Sequence, residues 1–216
     1  MLNRVDPFNP IPADSERWTV GDAAFAIGAI TRPIVVGDEC GDATACWEQE
    51  HKLYLALADG LGHGEFARVA ALAALDSIQR HPPAPLPAVF AQCDQDVRDT
   101  RGVALGIAVI DPAAQTATFC GVGNIRVLLL GQRPRHFSCS YGIVGAGFKN
   151  LIVETMPFTP GDLLVLASDG IMEQFTAPVP DHGETWSAGG LAEVILMEWG
   201  IATDDAAVLV CRAMPR

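Results

Sequence analysis

Positive charge is what this sequence has least of: 14 lysines and arginines stand against 26 aspartates and glutamates, a formal net charge of -12. That balance argues against nucleic acid as a partner, because binding to a phosphate backbone is driven by clustered Lys and Arg. The only dense basic patch runs from Arg126 to Arg135. Long apolar runs are absent too. None reaches the roughly 18 residues a membrane helix needs, so no membrane span is expected. The first residues lack a basic head followed by an apolar stretch, so no secretory signal is expected and the cytoplasm is the expected location. None of the six cysteines forms a Cys-x-x-Cys pair or joins a histidine at zinc-ligand spacing. Reduced, mostly buried thiols are the expectation, as suits a reducing compartment. There is no internal repeat and no low-complexity tract.

What is present is apolar: half of the 216 residues are hydrophobic, enough for one core and too few for two comfortable domains. An N-terminal arm over 1–18 and a single domain over 19–213 are expected, working as a monomer. Strand-like segments fall at 23–30, 43–48 and 52–58. A helix is predicted over 64–80, where Glu65, Arg68, Asp76 and Gln79 recur at helical spacing against an apolar face. The Pro-rich piece 81–87 leads to a second helix, about 86–100. Strands return at 103–110, 116–121, 125–130, 151–154 and 163–167. A late helix, 191–199, precedes a last strand, 207–212. Strands in runs, with helices between the runs, imply an α+β fold of antiparallel sheets covered by helices rather than a parallel βαβ sheet.

Acidic motifs stand at the ends of the apolar strands. They are Asp59-Gly60-Leu61-Gly62-His63-Gly64-Glu65, then Ser168-Asp169-Gly170, then Asp204-Asp205, with Gly41-Asp42 upstream. One Asp-Gly after a strand is a turn, since Gly accepts positive φ and Asp caps its own backbone. Several together suggest carboxylates gathered to hold a hard divalent cation, which wants oxygen ligands on rigid supports.

These motifs, with Gly121-Val122-Gly123-Asn124 between them, resemble in wording and order the SpoIIE/RsbX branch of the metal-dependent (PPM-type) protein phosphatases. The resemblance spans about residues 20–212. It implies two packed antiparallel β-sheets flanked by helices, an α-β-β-α sandwich, and serine/threonine phosphatase activity. It further implies two Mn2+ or Mg2+ ions held by Asp42, Asp59, Gly60, Asp169 and Asp204. Asp59 would bridge both ions, the Gly60 carbonyl would join one, and Asp169 and Asp204 the other. Asp42 would bind directly or through water, and Asp205 could share the role of Asp204. Asp59 and Asp169 are thus the expected catalytic pair, acting through a bridging hydroxide. The implied substrate is a phosphorylated STAS-domain regulator of a bacterial stress-signalling (stressosome or partner-switching) pathway. In the main branch of the family an Arg just before the first Asp grips phosphate, and a His lies two residues after the bridging Asp. Here Arg32 is too far upstream and His63 too far downstream to match, so phosphate grip and general acid stay unassigned. Asn124 replaces an Asp of that branch.

Three other readings compete. Cys120 to Arg126 satisfies the Cys-x5-Arg pattern of tyrosine phosphatases, but an apolar strand follows where a helix N-terminus would be needed. The same fold could serve as a non-catalytic phosphoprotein-binding module, or act on small phosphorylated metabolites. The glycine-rich stretch 141–147 lacks a Walker lysine and is expected to border the active site as a loop.

Overall fold

The computed structural model describes residues 16–80, 84–131, 134–177 and 186–215. Most of the expected arm therefore lies outside the described residues, as does part of the Pro-rich connection. Two antiparallel sheets dominate. The first has the order β1 (Glu16–Val20), β2 (Ala23–Arg32), β13 (Ala206–Ala213), β12 (Leu163–Ala167), β7 (Arg126–Leu130), β8 (Arg135–Phe137). The second has the order β11 (Val153–Pro157), β6 (Thr116–Val122), β5 (Val103–Asp111), β4 (Lys52–Gly60), β3 (Asp42–Gln49). A short hairpin, β9 (Gly142–Ile143) with β10 (Gly147–Phe148), stands apart from both. Helices α1 (Glu65–Arg80) and α2 (Leu86–Asp96) cover the second sheet, and α3 (Ala188–Trp199) covers the first. This is the α-β-β-α sandwich that the motifs implied.

Side chains alternate across each strand, so every central strand feeds two cores. On β4, Leu53, Leu55 and Leu57 face the other sheet, where Ile27, Leu164, Leu166 and Leu209 meet them. Its Ala56 and Ala58 face Ala70, Ala71, Ala74, Leu75 and Phe90 of the helices. On β13 and β12, Val208, Val210 and Val165 lie under Leu191, Ala192 and Ile195 of α3. Small residues dominate the α1 interface because the helix runs very close: a Cβ on Gly60 would come within 1.9 Å of the Ala67 carbonyl oxygen.

The β3–β4 hairpin decides the geometry of the site. Its two-residue turn is Glu50–His51, both at positive φ (49° and 59°), the combination of a type I′ turn. Closing there pairs Gln49 with Lys52 and, at the far end, Asp42 with Asp59. A slip of one residue would turn one of these carboxylates to the helix side.

Some boundaries differ from the sequence reading. The second helix ends at Asp96 rather than near 100, because the Thr100 hydroxyl and amide both donate to the Val97 carbonyl (2.7 and 3.0 Å) and Gly102 turns the chain at φ 82°. Helix α3 begins earlier, at Ala188, with the Ser187 hydroxyl accepting from the Gly190 amide. Two glycines hide that first turn from a propensity reading. The strand expected at 151–154 runs over Val153–Pro157, and β1, with the Arg17–Ala26 and Trp18–Phe25 pairs, extends the first sheet.

Candidate active site

Strands from both sheets end at one edge of the sandwich, and their terminal carboxylates meet there. Asp42 opens β3 and lies opposite Asp59 on β4, and both project into the space between the sheets. From the other sheet, Asp169 follows β12 and Asp204 precedes β13, which are themselves neighbours. Asp59 and Asp169 face each other across this edge, and the Asp169 carboxylate helps to raise Asp59 above the usual carboxylate range. Ser168 stitches the two sheets together: its hydroxyl donates to Asp42 Oδ2 (2.6 Å) and accepts from the Ala207 amide (2.9 Å). Asn124 donates its side-chain amide to Asp169 Oδ2. All the expected ligand residues, Asp42, Asp59, Gly60, Asp169 and Asp204, are thus brought to one edge.

The electrostatics are those of acids crowded without counter-charge. Burial first, then the neighbouring carboxylates, raises Asp42 above the usual carboxylate range, although the Ser168 hydroxyl opposes the shift. Asp59 is raised further by burial, by Asp42 and by Asp169. Asp204 is raised by burial and by Asp169, with His63 pulling the other way. Among the described residues, no Lys or Arg forms an ion pair with any of these four aspartates.

Asp205 has a different job from its neighbour. It is buried, and its two oxygens accept the Ile34 and Gly41 amides, each at 2.6 Å, which pins the loop leading into Asp42. Two arginines to which sequence reasoning gave no role in the site hold the acid-bearing turns by their carbonyls. Arg126 donates to Ser168 O (3.3 Å), Asp169 O (3.1 Å) and Ile171 O. Arg32 donates to Asp204 O (3.3 Å) and Ile201 O. Their position at strand ends facing Asp-containing turns was the available signal.

An all-oxygen donor set of four aspartates fits hard divalent cations and no softer metal. Among the described residues, no three His, Cys, Asp or Glu side chains are drawn into a ready ligand shell; Asp42 and Asp169 are instead engaged by Ser168 and Asn124.

The edge is open. Asp59, Asp169 and Asp204 are half-buried, while Gly62, His63 and Asn124 are exposed around them. The glycine-rich stretch borders it as the β9–β10 hairpin rather than as the expected loop, since Val144 exchanges both backbone hydrogen bonds with Val103 at the start of β5. The tyrosine-phosphatase pattern fails on its nucleophile: Cys120 is fully buried within β6 and burial pushes its thiol up to about 11, so no thiolate is available. The six cysteines are all free thiols.

Comparison with known proteins agrees with this fold. The family model described as Stage II sporulation protein E (SpoIIE) matches residues 49–213. The phosphoserine phosphatase RsbX of Bacillus subtilis (strain 168) is 25% identical over 137 residues, covering 61% of this chain and 67% of that protein. A solved structure from work on the bacterial stressosome, as a modular system adapted to control secondary messenger signalling, is similar at a TM-score of 0.80 and 30% identity. That similarity covers 87% of this chain and 99% of the other. The crystal structure of RsbX in complex with magnesium shares the fold at a TM-score of 0.74 and 19% identity, over 92% of this chain and 99% of that one.

Proposed function

Because the chain belongs to the SpoIIE family of PP2C-type serine/threonine phosphatases, we propose that its acidic edge is a two-metal site that removes phosphate from Ser or Thr of a STAS-domain regulator in a bacterial stress-signalling pathway. The observation that carries the chemistry is the convergence of Asp42, Asp59, Asp169 and Asp204 from two different sheets, with no cationic side chain paired to them among the described residues. Asp59, with the Gly60 carbonyl, would hold one Mn2+ or Mg2+ ion; Asp59, Asp169 and Asp204 would hold the second; Asp42 would bind directly or through water. Once bound, the ions supply an acidified water as nucleophile and neutralise charge on the phosphoryl group. The chain's own residues do the positioning. Ser168 orients Asp42, Asn124 orients Asp169, and Arg126 and Arg32 hold the turns that present Asp169 and Asp204.

The substrate reading draws on the relatives: RsbX is named a phosphoserine phosphatase, and the 30%-identical structure comes from stressosome work. An open edge suits a phosphorylated side chain carried on a folded partner. Phosphate on a STAS surface adds about -1.5 to -2 charges, so its removal resets a docking face. The proposal places the enzyme in the cytoplasm as a monomer; no described helix is long and apolar enough to cross a membrane.

The test is incubation with phosphorylated STAS proteins and Mn2+, reading phosphate loss by intact mass, with and without chelator. Loss of phosphate that depends on the cation is expected. Full activity in excess chelator, after metal removal is verified, would overturn the two-metal site. If STAS proteins stay phosphorylated while an unrelated phosphopeptide or a metabolite is cleaved, the stress-signalling substrate falls and the chemistry stands.

A further inference from the structure

A phosphomonoester approaching this edge meets four carboxylates, so a donor outside the ligand set has to orient it. Arginine is suited to that, because its planar fork meets phosphate oxygens two at a time. Three arginines near the edge are already committed. Arg32 and Arg126 are bonded to turn carbonyls, and Arg68 pairs with Glu39 (3.1 Å) and reaches the Cys40 carbonyl. Arg101 is not committed in this way. It is exposed, and among the described residues its guanidinium forms no ion pair.

Its place in the fold puts it beside the acids. The β4–β5 ladder pairs Asp59 with Ala104 and Gly60 with Val103, and the Leu61 amide continues it by donating to the Gly102 carbonyl at 3.0 Å. Arg101 therefore stands across from Gly62, on the turn that leads from Asp59 into α1. A Cβ at Gly62 would lie 2.8 Å from Arg101 Nη1, and Gly62 sits at φ 89°. The guanidinium thus lies over bare backbone that only glycine supplies. It also lies over the Phe66 ring, with Cζ 5.1 Å from the centroid. Phe66 itself is 65% exposed at the start of α1, a costly place for an aromatic that does nothing but pack. As a plate it steadies the guanidinium by cation–π attraction, while Arg101 stays exposed to solvent.

We infer that Arg101, steadied by Phe66 above the Gly62 turn, is the substrate-binding residue that grips the phosphoryl group of the phosphoserine or phosphothreonine. This rests on the phosphatase reading of the neighbouring aspartates. It gives the grip to the start of β5, where the sequence motifs had left it unassigned.

The experiment compares the full chain with R101A, R101K and F66A, each loaded with Mn2+. Calorimetry measures Mn2+ affinity and the binding of inorganic phosphate; steady-state assays use p-nitrophenyl phosphate and a Ser-phosphorylated peptide. For R101A, phosphate binding and kcat/KM should both weaken by about 10- to 100-fold, with Mn2+ affinity and Tm unchanged. R101K should recover part of the loss, and F66A should lose about 3- to 5-fold in the same direction. Unchanged phosphate binding in R101A overturns the inference, as does a loss fully explained by weaker Mn2+ binding or a lower Tm. An active parent chain with an indifferent R101A defeats only this assignment. A parent chain without turnover on any phosphomonoester defeats the phosphatase reading, and phosphate calorimetry still decides Arg101.

Discussion

At the scale of single residues, Asp204 and Asp205 show how neighbours in one motif divide the work. Adjacent residues entering a strand point to opposite sides. Asp205 is 3% exposed with both oxygens filled by amides of the β2–β3 loop, whereas Asp204 is half-buried beside Asp169. Asp204→Asn should therefore lower turnover by at least about 100-fold, through lost cation binding, at unchanged stability. Asp205→Ala should cost about 3 kcal/mol, because it leaves the buried Gly41 and part-buried Ile34 N–H groups without an acceptor. Urea denaturation and Mn2+-dependent hydrolysis read the two effects separately, and an exchange of the two phenotypes would show the roles reversed. The motif made both aspartates visible, and family resemblance favoured the first. What the sequence could not display was the Ile34 and Gly41 amides that occupy the second, since they arrive from a loop far away in the chain.

At the scale of elements, the site depends on how turns are held and how closely layers approach. Arg126, at the start of β7, reaches three carbonyls of the turn after β12 and so sets where Asp169 points. Arg126→Ala should weaken Mn2+ binding by about 10- to 100-fold, as loss of a supporting contact does at metal sites, with the β7–β12 pairing preserved. Titration calorimetry checks this, and an unaltered Mn2+ affinity would contradict it. On the far side of the same sheet, a Cβ on Gly28 would fall 2.1 Å from the Gly189 backbone nitrogen, so α3 lies directly on β2. Gly28→Ala should push α3 outward and cost about 3 kcal/mol, seen as a lowered urea midpoint. A neutral Gly28→Ala would mean that α3 can shift without loss. The strand segments were legible because each is an apolar run bounded by turn residues. The first turn of α3 was not, because Ala188-Gly189-Gly190 serves close packing at the expense of helix propensity.

At the scale of the whole molecule, the acidic edge makes stability depend on pH and on cations. Asp42 and Asp59 are both more basic in the folded chain than in the unfolded one, burial being the leading cause. Without cations the folded state thus holds the extra protons, and stability falls as pH rises from about 4 through neutrality. Divalent cations bind the deprotonated carboxylates, so their stabilising effect should grow over the same range. Melting temperatures in chelator should be lower at pH 8 than at pH 5.5, and Mn2+ should raise Tm more at pH 8. A Tm in chelator that rises between pH 5.5 and 8 would contradict the crowded-acid picture.

The sequence by itself determined the class of the fold and the identity of the acids. Short apolar runs bounded by turn residues read as strands, and an Asp at the end of such a run sits where the strand meets its loop. Partnership was decided only in three dimensions. The Glu50–His51 turn sets Asp42 against Asp59, and the β12–β13 pairing brings Asp169 beside Asp204. Ser168 then joins the two sheets, and Arg101 comes to lie over Gly62. Each of these contacts links residues whose separation in sequence carries no trace of their separation in space, because register and layer packing are properties of the closed sandwich and not of any segment of it.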